Sequence, residues 1–225
     1  MAKKIEVMNV ELDNCSARET MILMEAFLDN SVLNTIEEVT RPMIVSATED
    51  AEVKECIDSL DLAIPGDRGI LAEAGLEGSA LDRGMSFFYE FAKSVIRGGK
   101  KVLILGENAE AIKAAETFLA HGYEQMIVIG TCALEDFGDE AGAINEINIQ
   151  MPDVVLSVLP TPVQEHFLLR QKERLHAKVW YGMSNETLMD HSSSKTRRTI
   201  RRFFRKMTFR RYMSAFEKSR TDPDL

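Results

Sequence analysis

The 225-residue chain has little that would place it in a special class of proteins. Its three cysteines are widely spaced and form no CxxC or zinc-ligand pattern, so ordinary thiols in a reducing compartment are expected. No apolar run approaches the ~20 residues that a membrane span requires. The first residues, Met-Ala-Lys-Lys-Ile-Glu-Val, lack the hydrophobic stretch of a secretory signal, and the expected compartment is the cytoplasm.

Motifs that define several enzyme classes are also missing. No GxGxxG follows a predicted strand, which argues against a dinucleotide-binding enzyme. The four histidines stand far apart, and no pair of aspartates suggests a metal site. We therefore expect neither a metal nor another cofactor, and we expect the histidines to be structural or surface residues.

Charge is distributed unevenly along the chain. The net charge is −9, yet residues 195–220 hold eleven Lys or Arg against one acid, Glu217, and so carry +10. Residues 221–225 carry −2, which leaves −17 on residues 1–194. The strong negative charge of residues 1–194 argues against nucleic acid as a partner.

The basic segment interleaves arginines with Ile200, Phe203, Phe204 and Met207 at roughly helical spacing. A basic amphipathic helix of this kind binds an anionic lipid surface or a partner's groove. It could equally pack its apolar stripe on the main domain and leave its arginines in water. Both interpretations stay open.

The body alternates short apolar runs with helical patterns. Lys101–Leu105, Ala109–His121 and Met126–Ile129 follow one another with glycines between them, which predicts parallel strands joined by right-handed helical crossovers. The predicted fold is α/β: a Rossmann-like, doubly wound, mainly parallel sheet over residues 1–190, with a basic helical appendage over residues 191–225. Other predicted strands are Lys4–Val10, followed by a turn at Glu11–Asn14, and Pro42–Ser46, Leu62–Pro65, Val154–Leu159 and Lys178–Met183. Other predicted helices begin after Ser16 and run to Asp29, or cover Ala51–Leu60, Met85–Ile96, Ala143–Gln150 and Val163 to near His176.

Two loops contain residues that are candidates for binding or catalysis. The strand Val154–Leu159 leads through Pro160-Thr161-Pro162 into a helix with Gln164 and Glu165 in its first turn, and open α/β sheets bind ligands at such strand–loop–helix junctions. An ordinary βα corner is the alternative. Gly66-Asp67-Arg68-Gly69 has glycine at both ends, which allows close backbone approach to a ligand, although a solvated turn with a surface salt bridge would look the same.

The order of these pieces resembles the WecG/TagA/CpsF family of bacterial glycosyltransferases over about residues 6–190. Pro152-Asp153 before the strand, followed by Pro162, Gln164 and Glu165, is similar to the family's "PD…strand…GxPxQE" signature. Other similar positions are Leu103–Gly106, Ile129-Gly130, Pro65 with Gly69, Gly182 after the last strand, and the arginine-rich C-terminal segment.

This resemblance implies transfer of an N-acetylmannosamine-like sugar from a UDP donor to a polyprenyl-diphosphate-linked acceptor, in cell-surface polysaccharide synthesis and without a metal. The implied general base is Asp67. The implied substrate-binding residues are Thr48, Arg68, Gly106, Glu107, Gly130, Pro162, Gln164, Glu165 and Gly182. The residues implied to contact the departing diphosphate or an anionic membrane are Arg197, Arg198, Arg201, Arg202 and Arg205. The protein would then lie peripherally on the inner face of the cell membrane, and homo-oligomer formation stays open.

Several positions depart from the family's pattern. Pro160 stands where the family has glycine, Val163 where it usually has lysine, and its threonine-containing turn after the second strand is represented by Ser46-Ala47-Thr48. Its Asp-Gly pair is inverted to Gly66-Asp67. The inversion motivates an alternative hypothesis, a catalytically inactive relative that binds a nucleotide sugar or acts as an interaction protein at the membrane surface.

Overall fold

The computed structural model describes residues 3–66, 70 and 87–183. Asp67, Arg68 and the whole basic segment after residue 190 lie outside these ranges. In chain order the elements are β1 (Lys3–Val7), β2 (Val10–Asn14), α1 (Ala17–Asp29), β3 (Asn34–Val39), α2 (Arg41–Glu49), α3 (Ala51–Asp58), β4 (Leu62–Pro65), α4 (Phe87–Arg97), β5 (Lys101–Gly106), α5 (Ala109–Leu119), β6 (Ile127–Ala133), α6 (Glu140–Gln150), β7 (Val154–Ser157), α7 (Val163–Gln171) and β8 (Val179–Gly182).

A parallel sheet of six strands organises this part of the chain. Its order is β4-β3-β8-β7-β5-β6, and every neighbouring pair is parallel. Helices cover both faces, because α1, α4 and α5 pack in one apolar cluster and α6 and α7 in another. The predicted Rossmann-like, doubly wound α/β fold is confirmed. Parallel strands place all their carboxyl ends along one edge, where such folds bind ligands.

Aromatic side chains of β8 tie both helical layers to the sheet. Tyr181 points to the first face and stacks on Phe91 of α4, with ring centroids 4.5 Å apart. Trp180 points to the second face and stacks on Phe167 of α7 at 5.9 Å. All four side chains are buried. Because neighbouring strand residues face opposite ways, this central strand fixes helices on both sides at once.

A β-hairpin precedes the sheet, and here the prediction was wrong. Lys4–Val10 was expected to be one strand followed by a turn at Glu11–Asn14, whereas residues 10–14 form the second strand of the hairpin. Met8 and Asn9 turn the chain with φ of 52° and 63°, the left-handed conformation that two-residue hairpin turns require. On β2, Asp13 accepts a hydrogen bond from the Ala63 N–H at 2.9 Å, which attaches the hairpin to the edge strand β4.

A second strand, within residues 34–46, was predicted at the wrong position. Pro42–Ser46 was predicted as a strand, but it belongs to α2, and the strand is Asn34–Val39. Thr40 has the extended backbone of an N-cap, and Pro42 falls in the first helical turn, where its missing N–H costs nothing. The sequence pattern did not indicate this strand because it contains Glu37 and Glu38, whose charges normally keep a side chain at the surface.

Strand β6 is longer than predicted. It was predicted at Met126–Ile129, but it runs from Ile127 to Ala133 and pairs with β5 along its length, with a register shift between Val102 and Leu103. Helix α6 likewise begins at Glu140, three residues earlier than Ala143, with Asp139 as its N-cap. Gly130 is therefore a residue within a strand and does not follow one.

Several local predictions are confirmed. Ser16 and Glu19 form the capping box that starts α1, which ends at Asp29 as expected. The predicted segments at Ala51–Leu60, Leu62–Pro65 and Lys178–Met183 each contain the observed helix or strand, and the strand predicted at Lys101–Leu105 extends one residue further, to Gly106. The three cysteines are free and buried. Within the described ranges, no helix has the length and apolar character needed to cross a membrane.

Candidate active site

The central strands β3, β8 and β7 each place one residue in a row near their carboxyl ends. Glu37 of β3 pairs in register with Gly182 of β8, and Gly182 pairs in turn with Ser157 of β7. Helix α7 begins directly beyond β7 and brings Gln164 and Glu165 toward the same place. Glu37, Gln164 and Glu165, all buried, are called the acid–amide cluster below.

Glu37 is the inner member of the cluster. Its side chain lies on the face that carries α7, and its Oε1 accepts a hydrogen bond from Trp180 Nε1 at 3.1 Å. The amide of Gln164 lies beside it, since a Cβ at Gly182 would be 2.8 Å from both Gln164 Nε2 and Glu37 Cδ. A carboxyl group that is completely buried would be very costly without a donor. Glu37 is thus held by a donor from the sheet and lies against the first turn of α7.

Glu165 is fixed within the first turn of α7. Thr161 Oγ1 donates to its Oε1 at 2.9 Å. The next residue, His166, contacts Asp50 Oδ2 through Nε2 at 2.8 Å, and Asp50 is the N-cap of α3. Helix α7 is thereby held to the Pro-Thr-Pro turn on one side and to α3 on the other.

Gly182 makes room for the cluster. A Cβ atom there would lie 2.6 Å from Glu37 Cγ and 2.8 Å from Gln164 Nε2. These distances are far shorter than any van der Waals contact, so glycine is needed for these two side chains to meet. Gly182 was predicted to be a substrate-binding position, and in the structure it makes room for Glu37 and Gln164.

Both carboxyl groups have raised pKa values. Burial, followed by the nearby charge of Glu165, raises the pKa of Glu37 well above its ordinary value, against the opposing hydrogen bonds from Trp180 and Gln164. Burial also raises the pKa of Glu165, and the charge of Asp50 adds to this, while Thr161 and the helix backbone oppose it. Two buried carboxyl groups this close to each other cannot both ionise easily, so the pair retains a proton more readily than two exposed acids would.

The thiols near the sheet are poor nucleophiles. Burial and the charges of Glu37 and Glu165 raise the pKa of Cys56 far above its ordinary value. Burial raises the pKa of Cys132 to about 12. The thiolate is the reactive form of cysteine, so neither side chain is suited to covalent catalysis near neutral pH.

Two of the residues predicted to bind substrate lie elsewhere. Thr48 is in the last turn of α2, where its hydroxyl donates to the Val45 carbonyl oxygen at 2.7 Å; the threonine that follows a strand is Thr40. Gly130 lies against Gln150 of α6, whose Oε1 would be 1.8 Å from a Cβ at that position. Glycine at 130 therefore accommodates a helix side chain.

Gly106 and Glu107 do lie at the carboxyl edge, after β5. Gly106 is buried beneath Ile112 of α5, and Glu107 is exposed. The first N–H groups of α5 are already used, since Ala111 N donates to Asn108 Oδ1 at 2.9 Å and Ala109 N donates to Glu135 Oε1 at 2.8 Å. An acidic side chain, Glu135, thus occupies part of the N-terminus of α5.

The proline-rich turn has the predicted position before α7. Pro162 is exposed and is the N-cap residue, and the Thr161–Pro162 peptide bond is cis. Gly66, at the start of the predicted Gly-Asp-Arg-Gly loop, donates to the Val39 carbonyl oxygen at 2.7 Å. A Cβ at Gly66 would lie 2.9 Å from that same oxygen, so the chain approaches β3 closely here. The adjoining Asp67 and Arg68 are outside the described residues.

Sequence analysis missed Glu37, Trp180 and Thr161. Their signal was faint: two consecutive glutamates in a run flanked by β-branched residues, and a single tryptophan in a predicted central strand. Buried tryptophans and buried acids both need a polar partner, so a pairing between them could have been considered. The choice among possible partners requires knowing that β3 and β8 are neighbours.

A comparison with known protein families identifies a match. The model of the glycosyl transferase WecG/TagA/CpsF family matches residues 5–207, which is most of the chain. The protein belongs to this family. Its members are glycosyltransferases, so the activity class of this chain is transfer of a glycosyl group. No individual curated protein matches.

The WecG/TagA/CpsF match extends over the described sheet and past residue 190 into the basic segment. A glycosyltransferase acts on a sugar donor and an acceptor, and the sugar of the donor carries hydroxyl groups that form hydrogen bonds. The acid–amide cluster lies where a doubly wound sheet binds its ligands and offers oxygen atoms that accept hydrogen bonds. This cluster is the candidate active-site feature of the described residues.

Replacing Gly182 by alanine should destabilise the fold. The new methyl group would overlap Glu37 and Gln164, and overpacking of this kind costs about 1–3 kcal/mol. Urea unfolding of the Gly182→Ala variant should show that loss in the free energy of unfolding. Gly138→Ala is the matched control, because no atom lies within 4 Å of its would-be Cβ, and it should change stability by less than about 0.5 kcal/mol. Equal stabilities of the two variants would contradict the packing described here.

The raised pKa of Glu37 predicts a specific pH dependence of stability. Between the ordinary value of 4.5 and the raised value, the folded state holds a proton that the unfolded state has lost. The free energy of unfolding should therefore fall as pH rises through this window, by up to about 1.4 kcal/mol per pH unit for one group. Glu37→Gln should make the slope shallower, as measured by urea unfolding from pH 4.5 to 8. Glu11→Gln, which removes an exposed carboxylate of β2, should leave the slope as it is; a wild-type stability that rises with pH would refute the assignment.

Proposed function

We propose that this protein transfers an N-acetylmannosamine-like sugar from a UDP donor to a polyprenyl-diphosphate-linked acceptor, in cell-surface polysaccharide synthesis. The supporting observation is the family match over residues 5–207, combined with the clustering of Gln164 and Glu165 of the PxQE sequence at the carboxyl edge of the sheet. The acceptor substrate is lipid-linked, so the enzyme would work at the inner face of the cell membrane.

The proposed reaction is a displacement at the anomeric carbon of the donor sugar. The acceptor hydroxyl attacks this carbon, the bond between the carbon and the diphosphate oxygen breaks, and UDP leaves with the electron pair. Asp67 takes the proton of the attacking hydroxyl, for which a carboxylate within hydrogen-bond reach is needed. Arg68 and the arginines of the C-terminal segment stabilise the negative charge on UDP, a task for which the guanidinium group is well suited.

The described residues contribute binding groups to this proposal. Gln164, in the first turn of α7, would accept or donate hydrogen bonds to sugar hydroxyls. Gly106 and Glu107 border the same edge at the end of β5, and Gly106 permits close approach of the backbone. The chain's own residues perform every step, and the proposal includes no metal.

The activity predicts a defined dependence on Asp67. Purified full-length protein incubated with UDP-N-acetylmannosamine and a lipid-linked acceptor analogue should release UDP, measured by a coupled assay. Asp67→Ala should lower kcat by roughly 10²–10⁴-fold, the usual contribution of a general base. Asp58→Ala, which removes an exposed aspartate at the end of α3, is the control and should retain activity.

Two results would overturn this assignment. If Asp67→Ala retained wild-type turnover, the base would lie elsewhere. Tight binding of UDP without turnover on any lipid-linked acceptor would instead favour the alternative of an inactive relative that binds a nucleotide sugar, which the inverted Gly66-Asp67 pair first suggested.

Membrane association can be measured separately. The full chain should sediment with liposomes that contain anionic lipid, and binding should weaken with added salt, since basic residues contribute about 1 kcal/mol each near such a surface. Removing residues 195–225, or changing Arg197, Arg198, Arg201, Arg202 and Arg205 to glutamine, should strongly reduce sedimentation. Neutral liposomes are the control. Undiminished sedimentation of the truncated chain would show that the basic segment is not the membrane contact.

A further inference from the structure

The first turn of α7 contains two buried acceptors that have no hydrogen-bond partner among the described residues. They are Gln164 Oε1 and Glu165 Oε2, and a third such atom, Glu37 Oε2, lies in the same acid–amide cluster. An unpaired buried acceptor destabilises the folded state, and proteins rarely tolerate several of them in one place. The position of this turn must therefore be maintained by contacts outside the cluster.

His166, the next residue of α7, provides such a contact. Its Nε2 lies 2.8 Å from Asp50 Oδ2 and 3.9 Å from Glu52 Oε2, at the start of α3. Its backbone N–H donates to the Pro162 carbonyl oxygen at 3.1 Å, so the same residue closes the first turn of α7. His166 thus joins the first turns of two helices, through a partner 116 positions away in the chain.

Asp50 is suited to hold the imidazole ring in one orientation. Its Oδ1 accepts from the N–H groups of Glu52 at 2.9 Å and Val53 at 3.3 Å, which fixes the carboxylate as the N-cap of α3. Although burial raises the pKa of Asp50, the hydrogen bonds from Val53, His166 and Glu52 bring it below its ordinary value. An ionised carboxylate can only accept, so His166 donates through Nε2. Asp50 caps one helix with one oxygen and binds the other helix with its second oxygen.

The contact between His166 and Asp50 adds something that the sheet side of α7 lacks. There, Phe167 stacks on Trp180 with ring centroids 5.9 Å apart. Apolar packing has no strong direction, whereas a hydrogen bond to a charged group restricts both distance and angle. A displacement of a binding group by about 1 Å can impair an active site severely, so a directional contact beside Gln164 and Glu165 is of consequence for the reaction.

We propose that His166 is a positioning residue for glycosyl transfer: its hydrogen bond to Asp50 fixes the first turn of α7, and with it Gln164 and Glu165, against α3. The inference rests on the proposed function, because it takes Gln164 as a group that binds the sugar substrate. His166 acts through the helix and does not itself touch the substrate.

His166→Leu removes the donor and leaves an apolar side chain. The KM for UDP-N-acetylmannosamine should rise roughly fivefold, and kcat should change less than about twofold, the pattern for loss of uniform substrate binding. His166→Gln should restore most of the lost affinity, because its side-chain NH2 can donate to Asp50 Oδ2. If the glutamine variant is impaired as much as the leucine variant, the hydrogen bond is not what matters and the proposal is wrong.

Asp50→Ser separates the contact with α7 from the cap of α3. Serine is a good N-cap, so α3 keeps its first turn, but the single hydroxyl that caps it cannot also reach His166. The KM should rise by the same factor as in His166→Leu, and the double variant should be no worse than either single variant. Effects that multiply would mean that the two residues act separately, which would refute the proposal.

Arg170→Gln is the matched control. Arg170 lies one turn further along α7 and pairs with Glu52 of α3 at 3.5 Å and with Glu140 of α6 at 2.6 Å. These ion pairs are partly exposed, and such pairs contribute little. The KM should change by less than about twofold. A rise as large as that in His166→Leu would mean that loss of any polar contact of α7 disturbs the site, which would overturn the specific role of His166.

The hydrogen bond can also be observed without substrate. The imidazole ¹⁵N signals of His166 are identified by their disappearance in His166→Gln. With the ring neutral, they should show its proton on Nε2 in the wild type and on Nδ1 in Asp50→Asn, where the asparagine oxygen caps α3 and its NH2 faces the ring. A proton on Nδ1 in the wild type would overturn the proposal. Absence of wild-type turnover on every sugar nucleotide would instead overturn the proposed function, and the ¹⁵N spectra would still decide whether His166 donates to Asp50.

Discussion

The pairing of β3 with β8 is the constraint on which the rest of this structure depends. Two consecutive glutamates of β3 face opposite sides of the sheet, and each meets an aromatic donor of β8: Glu37 meets Trp180, and Glu38 meets Tyr181. Each aromatic ring then stacks on a helix of its own face. A register slip of one residue would exchange the faces and leave both carboxylates without their donors, so the buried charges select a single alignment of the strands.

The pairing of β3 with β8 also determines which side chains meet in the acid–amide cluster. Gly182 follows Trp180 and Tyr181 on the same strand and is aligned with Glu37. Because glycine has no side chain, the Glu37 carboxyl group can reach across β8 to the first turn of α7. The site is therefore assembled from residues far apart in the sequence: strand β3, strand β8 and helix α7 each contribute to it.

The sequence alone predicted the class of fold and the position of Gln164 and Glu165, because these follow from local patterns. Apolar runs separated by glycines mark parallel strands, and the Pro-Thr-Pro turn marks the start of α7. It misplaced β3 because burial of two adjacent acids depends on partners more than 140 positions later in the chain. It misjudged the roles of Gly130 and Gly182 only in the sense that it could not place their neighbours, because a glycine that admits a ligand and one that admits a side chain look the same in a sequence. The Gly-Asp-Arg-Gly loop and the basic segment remain predictions.

The two departures from the family's pattern around Gln164 have a local physical explanation. Pro160, in place of glycine, lacks an N–H group, but α7 uses only its carbonyl oxygen, which accepts from Gln164 N at 3.0 Å. Val163, in place of lysine, packs against the apolar cluster on the face that carries α6 and α7. Neither change touches the hydrogen bonds of Glu37 or Glu165. Pro160 and Val163 give α7 an apolar entry, and Trp180 of β8 holds Glu37 at the buried end of the motif from the other side.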